Sequence, residues 1–205
     1  ICCMRKKFIE CSLKAIKNKY PNYSEERLDE LRYGLEGLYL LITKSIIIFG
    51  IAYFLGILGE LIVFTVIYNI IRATSFGIHA TKSWICLVSS LTIFIGLTYL
   101  STIVSIPIGT RVIVGIIGIF YINKYSPADT KKRPIVSPKR RMVYKTISTI
   151  IACVFVVISI ITTNDFIANC LLFSLVTQCV MISPLTYKLS GQPFDNYKTY
   201  VLNAS

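Results

Sequence analysis

His79 is the only histidine in the chain, and Cys86 follows it seven residues later, in the stretch that begins at Arg72 and runs through Gly77, Lys82 and Ser83. Cysteine with histidine is the minimal pair for nucleophilic acyl transfer: the imidazole takes the thiol proton, and the thiolate attacks a carbonyl. A lone histidine is more often structural than catalytic, but one at the edge of apolar runs is expensive to keep there. Seven residues along a straight helix put both side chains on one face about 10.5 Å apart, beyond any hydrogen bond. The pair therefore requires the chain to turn back, and Gly77 with the stretch before Ser83 is the expected place. If Ser83 caps a helix, Cys86 falls in its first turn, where the dipole and free N–H groups stabilise a thiolate and can act as an oxyanion hole. Arg72 and Lys82 add positive charge. On residue types alone, a catalytic pair and a structural polar junction stand level.

The chain around this pair is apolar. Of 205 residues, 54% are hydrophobic and 16% charged, with a mean hydropathy of +0.65, which excludes an ordinary water-facing enzyme surface. Lys and Arg outnumber Asp and Glu by 22 to 10. A nucleic-acid binder would spread such charge over a polar fold, so no nucleic acid is expected as a partner. Seven cysteines, with Cys86, Cys153, Cys170 and Cys179 in or beside apolar runs, read as mostly reduced rather than as a disulfide scaffold. Their spacing fits no zinc site, and neither a metal nor a cofactor is expected. Residues 1–36 carry basic charges and no long apolar core, so no cleavable signal peptide is expected there.

The fold class expected is all-α: a polytopic integral membrane protein with six transmembrane helices and N-terminal interfacial amphipathic helices. The 21 residues of 38–58 carry one charge, Lys44, and are long enough for a hydrocarbon core of roughly 30 Å. Segments 84–104, 146–162 and 166–185 carry no charge. Segment 106–122 carries Arg111 near one end, where its stem can snorkel toward headgroups. The run 61–71 is short and is expected to extend past Arg72, giving a span of about 61–76 and using part of the uncharged stretch 73–81. Charge settles the parity. With six spans and a cytoplasmic N-terminus, residues 1–37 carry 8 Lys/Arg, the 72–83 connection 2, the 123–145 loop 8 and the tail beyond 185 another 2, while the opposite connections carry none.

The chain reads as one membrane domain over 1–205. Within 1–37, Phe8, Ile9, Leu13 and Ile16 share one helical face with lysines around it, which suits anchoring to anionic membrane lipid or docking a peptide. A second short helix is expected from Ser24. The 123–145 loop, with Pro127, Pro134 and Pro138, is expected to be irregular and basic. Its Lys131, Lys132 and Arg133 suit either topology and lipid attraction or an acidic peptide tail. Asp129 is the acidic candidate for orienting His79, and a turn or helix cap explains it equally well.

Arg72 followed by Gly77-Ile78-His79-Ala80 and Cys86, Glu36 and Lys44 at the first span, and Ser126 to Thr130 leading to Lys132-Arg133-Pro134 together resemble the accessory gene regulator B (AgrB) family, over most of the chain. That family usually has two glycines before the histidine, where this chain has Phe76 and Gly77. The resemblance implies a membrane cysteine endopeptidase of the bacterial cytoplasmic membrane, with Cys86 as nucleophile and His79 as base. Its partner would be a small AgrD-like quorum-sensing precursor peptide with an acidic C-terminal tail, turned into a cyclic thiolactone or lactone. A homodimer is left open. The rival readings are a small-peptide exporter, for which the internal repeats of a transporter are missing, and a non-enzymatic membrane adaptor.

Overall fold

The computed structural model describes residues 2–21, 23–78, 83–130 and 135–198; it is all-helical, with six helices long and apolar enough to cross a membrane. The chain divides into two compact units, Ile1–Ile51 and Ala52–Ser205.

The first unit holds α1 (Cys2–Lys19) and most of α2 (Glu25–Phe54). Ser24 starts α2 as an N-cap: its Oγ accepts the Arg27 N–H at 3.3 Å and its carbonyl the Leu28 N–H at 3.1 Å. The short interfacial helix expected from Ser24 and the first span are one continuous 30-residue helix. Gly34 and Gly37 lie between them, and glycine weakens a helix interior by about 1 kcal/mol without the steric block that proline imposes. Within this unit the Phe8 ring meets Tyr39 at 5.6 Å.

In the second unit α3 (Leu58–Ser75) is followed by α4 (Ser83–Leu91), a π-helical segment Thr92–Gly96, α5 (Leu97–Ile103), α6 (Ile108–Tyr125), α7 (Pro138–Ile161), α8 (Asp165–Ile182) and α9 (Pro184–Leu189). The widened π turn carries Phe94 edge-on against Phe64 and Tyr68 of α3, at 6.2 and 5.6 Å. Helix α8 is the axis of the unit and packs against α3, α5, α6 and α7. Large apolar side chains such as Ile113, Phe120, Ile150 and Val157 face outward, as a bilayer solvent allows and water does not.

Several polar side chains inside the bundle find partners within the protein, because lipid offers no hydrogen bonds. Asn169 on α8 donates to the carbonyls of Ser101 at 3.1 Å and Val104 at 2.5 Å, taking up acceptors that the end of α5 leaves open. Arg111 does not snorkel outward. It is buried at the end of the bundle, donating to the Ile106 carbonyl at 2.7 Å and the Ser159 carbonyl at 3.0 Å and pairing with Asp165, which also accepts the Ser105 hydroxyl at 2.7 Å. A half-exposed carboxylate and two carbonyls offer this guanidinium what a headgroup would.

Helix α3 ends at Ser75, beside the end expected near 76, but one other boundary differs from the sequence reading. The irregular basic segment is shorter than 123–145, because α6 extends to Tyr125 and α7 begins at Pro138, a residue suited to a first helical position. Lys139, Arg140, Arg141 and Lys145 therefore stand on α7. Close packing of α6 on α7 depends on Gly115: a Cβ there would lie 2.6 Å from Val156 Cγ1, whereas one at Gly109 would meet nothing within 4 Å. Overpacking of this kind costs about 1–3 kcal/mol. Gly115→Ala is expected to lower the unfolding free energy in detergent by that amount and Gly109→Ala not to; equal melting temperatures for the two variants would contradict the close approach.

Candidate active site

The segment that leads to His79 is not helical, and each of its backbone groups is accounted for. Helix α3 ends with Phe76 at φ 57° and ψ −131° and Gly77 at φ 112°. The Phe76 N–H donates to the Arg72 carbonyl at 3.1 Å, and the Phe76 carbonyl accepts Gln178 Nε2 at 2.7 Å. Gly77 N–H donates to the Ala128 carbonyl at 2.9 Å, and Ala128 N–H returns a bond to the Ser75 carbonyl at 3.1 Å, so residues 76 and 128 form a parallel bridge. Ile78 N–H donates to the Met181 carbonyl at 3.1 Å. The carbonyls of Gly77 and Ile78 accept Arg72 Nη2 at 3.4 and 2.7 Å.

Arg72 thus folds back over the end of its own helix, as cations near a helix C-terminus favour. Gly77 is required twice over. Its φ is one that L side chains rarely adopt, and an added Cβ would lie 2.6 Å from Arg72 Nη1 and 2.8 Å from the Met181 carbonyl oxygen. Phe76 also occupies a glycine-like conformation, at the position where the family pattern has a glycine. A strained backbone residue costs of order 1–3 kcal/mol and persists when its surroundings over-determine it. Here the two backbone bonds hold it, along with an edge-to-face contact of its ring with Tyr144 at 5.0 Å.

Across this isolated bridge the short, strand-like extended segment 126–130 is fixed in turn. Ser126 Oγ lies 2.7 Å from Ser148 Oγ. The Tyr187 hydroxyl reaches the carbonyls of Ala128 and Asp129 at 3.3 and 3.0 Å. Burial pushes the ionisation of this hydroxyl well above the ordinary tyrosine range, the nearby Arg72 charge pulling the other way, so it stays a proton donor. Asp129 is 3% exposed, and its carboxylate takes the N–H groups of Asn196 at 3.1 Å, Tyr197 at 3.0 Å and Ile135 at 3.3 Å, and Arg141 Nη1 at 3.4 Å. The arrangement is that of a loop-organising carboxylate that ties the C-terminal segment to the strand.

Cys86 lies on α4 and is half-buried, and among the described residues that helix begins with Ser83, which is itself helical. His79, Lys82, Lys131, Lys132 and Arg133 lie outside the described residues. The structure therefore brings Arg72 and Gly77 together with the strand that contains Asp129. Gln178, Tyr187 and Asn196 have no role in the sequence reading, and Arg141 stands there only among the cations of the 123–145 loop. Gln178 had a signal, being an amide inside a charge-free apolar run, where a polar group must find a partner. Among the described residues no cluster of His, Cys, Asp and Glu could hold a metal ion.

Six membrane-long helices, with a cysteine in the first described turn of one and a pinned reverse segment ending another, define a polytopic membrane protein with a candidate thiol site. The chain belongs to the accessory gene regulator B family, whose model matches residues 9–182. It is 28% identical over 184 residues to an AgrB-like protein of Clostridium acetobutylicum, covering 88% of this chain and 86% of that protein. An AgrB-like protein of Listeria innocua is 29% identical over 178 residues, covering 86% of each. The accessory gene regulator protein B of Staphylococcus epidermidis is 28% identical over 159 residues, covering 77% of this chain and 80% of that one. No solved structure matches the chain.

Removing the Asp129 carboxylate leaves buried donors without an acceptor, at about 1–3 kcal/mol for each such group. Asp129→Ala is expected to release the C-terminal segment, so that limited proteolysis cuts after Gly191 in the variant before it cuts wild type. Equal cleavage there in both proteins would contradict the clamp.

Proposed function

We propose that this chain is a membrane cysteine endopeptidase that removes the C-terminal part of an AgrD-like quorum-sensing precursor peptide. Membership of the AgrB family supports precursor processing. The observation that carries the chemistry is the fully bonded segment running up to His79, followed by Cys86 in the first described turn of the next helix. A fixed approach to the histidine and a cysteine at the positive end of a helix are what a nucleophile–base pair needs.

The step proposed is acyl transfer. His79 takes the Cys86 proton, and the sulfur attacks the scissile carbonyl. N–H groups at the start of α4, including that of Ser83, receive the oxyanion. Collapse breaks the C–N bond, the imidazolium gives its proton to the leaving amine, and the N-terminal fragment stays on Cys86 as a thioester. An internal thiol or hydroxyl of the same peptide then attacks, closing a thiolactone or lactone and returning the Cys86 thiol. A half-buried sulfur favours this acceptor over water.

In this reading Arg72 and Gly77 position the base, Asp129 positions the strand beside it, and Lys131, Lys132 and Arg133 attract an acidic tail. The partition of loop charge supports a chain with both termini and the 126–137 connection on the cytoplasmic side of a bacterial membrane.

Wild-type protein in liposomes with a candidate precursor is expected to yield the cut and cyclised products by mass analysis. Cys86→Ala removes cleavage while precursor binding persists, and His79→Ala slows it by about 10²–10⁴-fold, the usual worth of a general base. Cleavage by Cys86→Ala at the wild-type rate would sink the assignment. For orientation, Ser137→Cys in a background free of other cysteines is expected to react with a membrane-impermeant maleimide only after cells are opened. Labelling in intact cells would reverse the proposed topology.

A further inference from the structure

A cleft of about 500 Å³ opens between the end of α6 and the start of α7, lined by Lys124, Ser126, Pro127, Arg141, Lys145 and Tyr197 among others. Three cations face it and one carboxylate lies behind it. Arg141 is half-committed: it bonds Asp129 at 3.4 Å and the Pro127 carbonyl at 3.4 Å, and its guanidinium stacks 3.6 Å from the Tyr197 ring centroid. Lys124 and Lys145 are exposed, and no ion pair is formed by either among the described residues.

The position of Lys124 says what kind of anion would fit. On α6 the exposed apolar residues Ile113, Ile117 and Phe120 fall three and four apart, and Lys124 continues the same stripe one turn further. The stripe belongs to a spanning helix, so Lys124 marks where that helix's lipid-facing side reaches the headgroup layer. On α7 Met142, exposed one turn before Lys145, also lines the cleft. Just inside, Asn123 Nδ2 meets Thr149 Oγ1 at 3.4 Å, which closes the gap between the helices below the cations. An anion seated there has apolar helix surface running away from it on one side and hydroxyl and carbonyl groups on the other.

We propose that this cleft is a binding site for one anionic phospholipid, with the phosphate between Lys124 and Lys145 and an acyl chain along the Ile113–Phe120 stripe. An acidic polypeptide would match the cations but leave the stripe unused. Basic pockets between spanning helices are suited to such headgroups, each cation near the surface adding to the attraction. The consequence reaches the candidate active site. Ser126 and Pro127 form a wall of the cleft, and the next residue, Ala128, bonds Gly77 and Ser75. A bound headgroup stiffens that strand, making the order of the segment before His79 dependent on lipid. This regulatory part rests on the peptidase reading, whereas the binding site does not.

The test uses the full-length protein in nanodiscs containing phosphatidylglycerol and phosphatidylcholine, with native mass spectrometry of the lipid retained on release. Wild type is expected to keep phosphatidylglycerol in preference to phosphatidylcholine. Lys124→Gln combined with Lys145→Gln is expected to lower that preference about tenfold or more, with an unchanged melting temperature because both side chains are exposed. Lys6→Gln combined with Lys7→Gln on α1 is expected to keep it. Equal retention by wild type and the Lys124/Lys145 variant would overturn the site whatever the cleavage activity. Displacement of the wild-type lipid by a short polyglutamate peptide would overturn it too, by assigning the cleft to an acidic polypeptide. A lipid preference that holds while cleavage stays indifferent to phosphatidylglycerol would remove the regulatory part and leave the binding site.

Discussion

Backbone polar groups in a membrane bundle must be satisfied inside the protein, and the non-helical segment Phe76–Ile78 is where this constraint bites hardest. Three residues offer three N–H groups and three carbonyls, and all six find partners: one in α3, one in the 126–130 strand, one in the α8 backbone, one in Gln178 and two in Arg72. Each supplier is itself held. Gln178 is fully buried on the central helix, Met181 is on the same helix, and Ala128 belongs to a strand fixed by Tyr187 and Asp129. Much of the second unit can be understood as the frame that lets one spanning helix end in a turn without losing hydrogen bonds.

The frame also sets what the residues near it can do. Arg72 spends one guanidinium nitrogen on two carbonyls of the segment, which places a positive charge where the chain continues toward His79. Asp129 spends both oxygens on residues 135, 141, 196 and 197. Its role in the described residues is to join the C-terminal segment to the strand.

The spans were legible because apolar runs and the charge of their connections are local properties, read without knowing what packs on what. The turn at Gly77 was legible for a similar reason: a cysteine seven residues from a histidine can meet it only if the helix breaks, and glycine marks where. The rest depends on partners far apart in sequence. Gln178 bonds a carbonyl 102 residues away, Asp129 meets Asn196 across 67, and Arg111 pairs with Asp165 across 54. No periodicity announces such pairs. Arg111 shows the cost of reading one residue by its own chemistry, since a snorkelling arginine and a paired one have the same local sequence. The early start of α7 was hidden because Pro138 reads as a breaker by type, whereas a first helical position makes it tolerable.

The central claim is that the pinned segment delivers His79 to Cys86. Its most direct test is the alkylation rate of Cys86 by iodoacetamide at neutral pH, in protein whose other six cysteines are replaced. The account predicts fast alkylation in that background, slower alkylation when His79 is replaced by Ala, and slower alkylation again when Gln178, which bonds the Phe76 carbonyl, is replaced by Leu. Equal rates in all three proteins would mean that the histidine does not act on the thiol and that the bonded segment serves the fold alone.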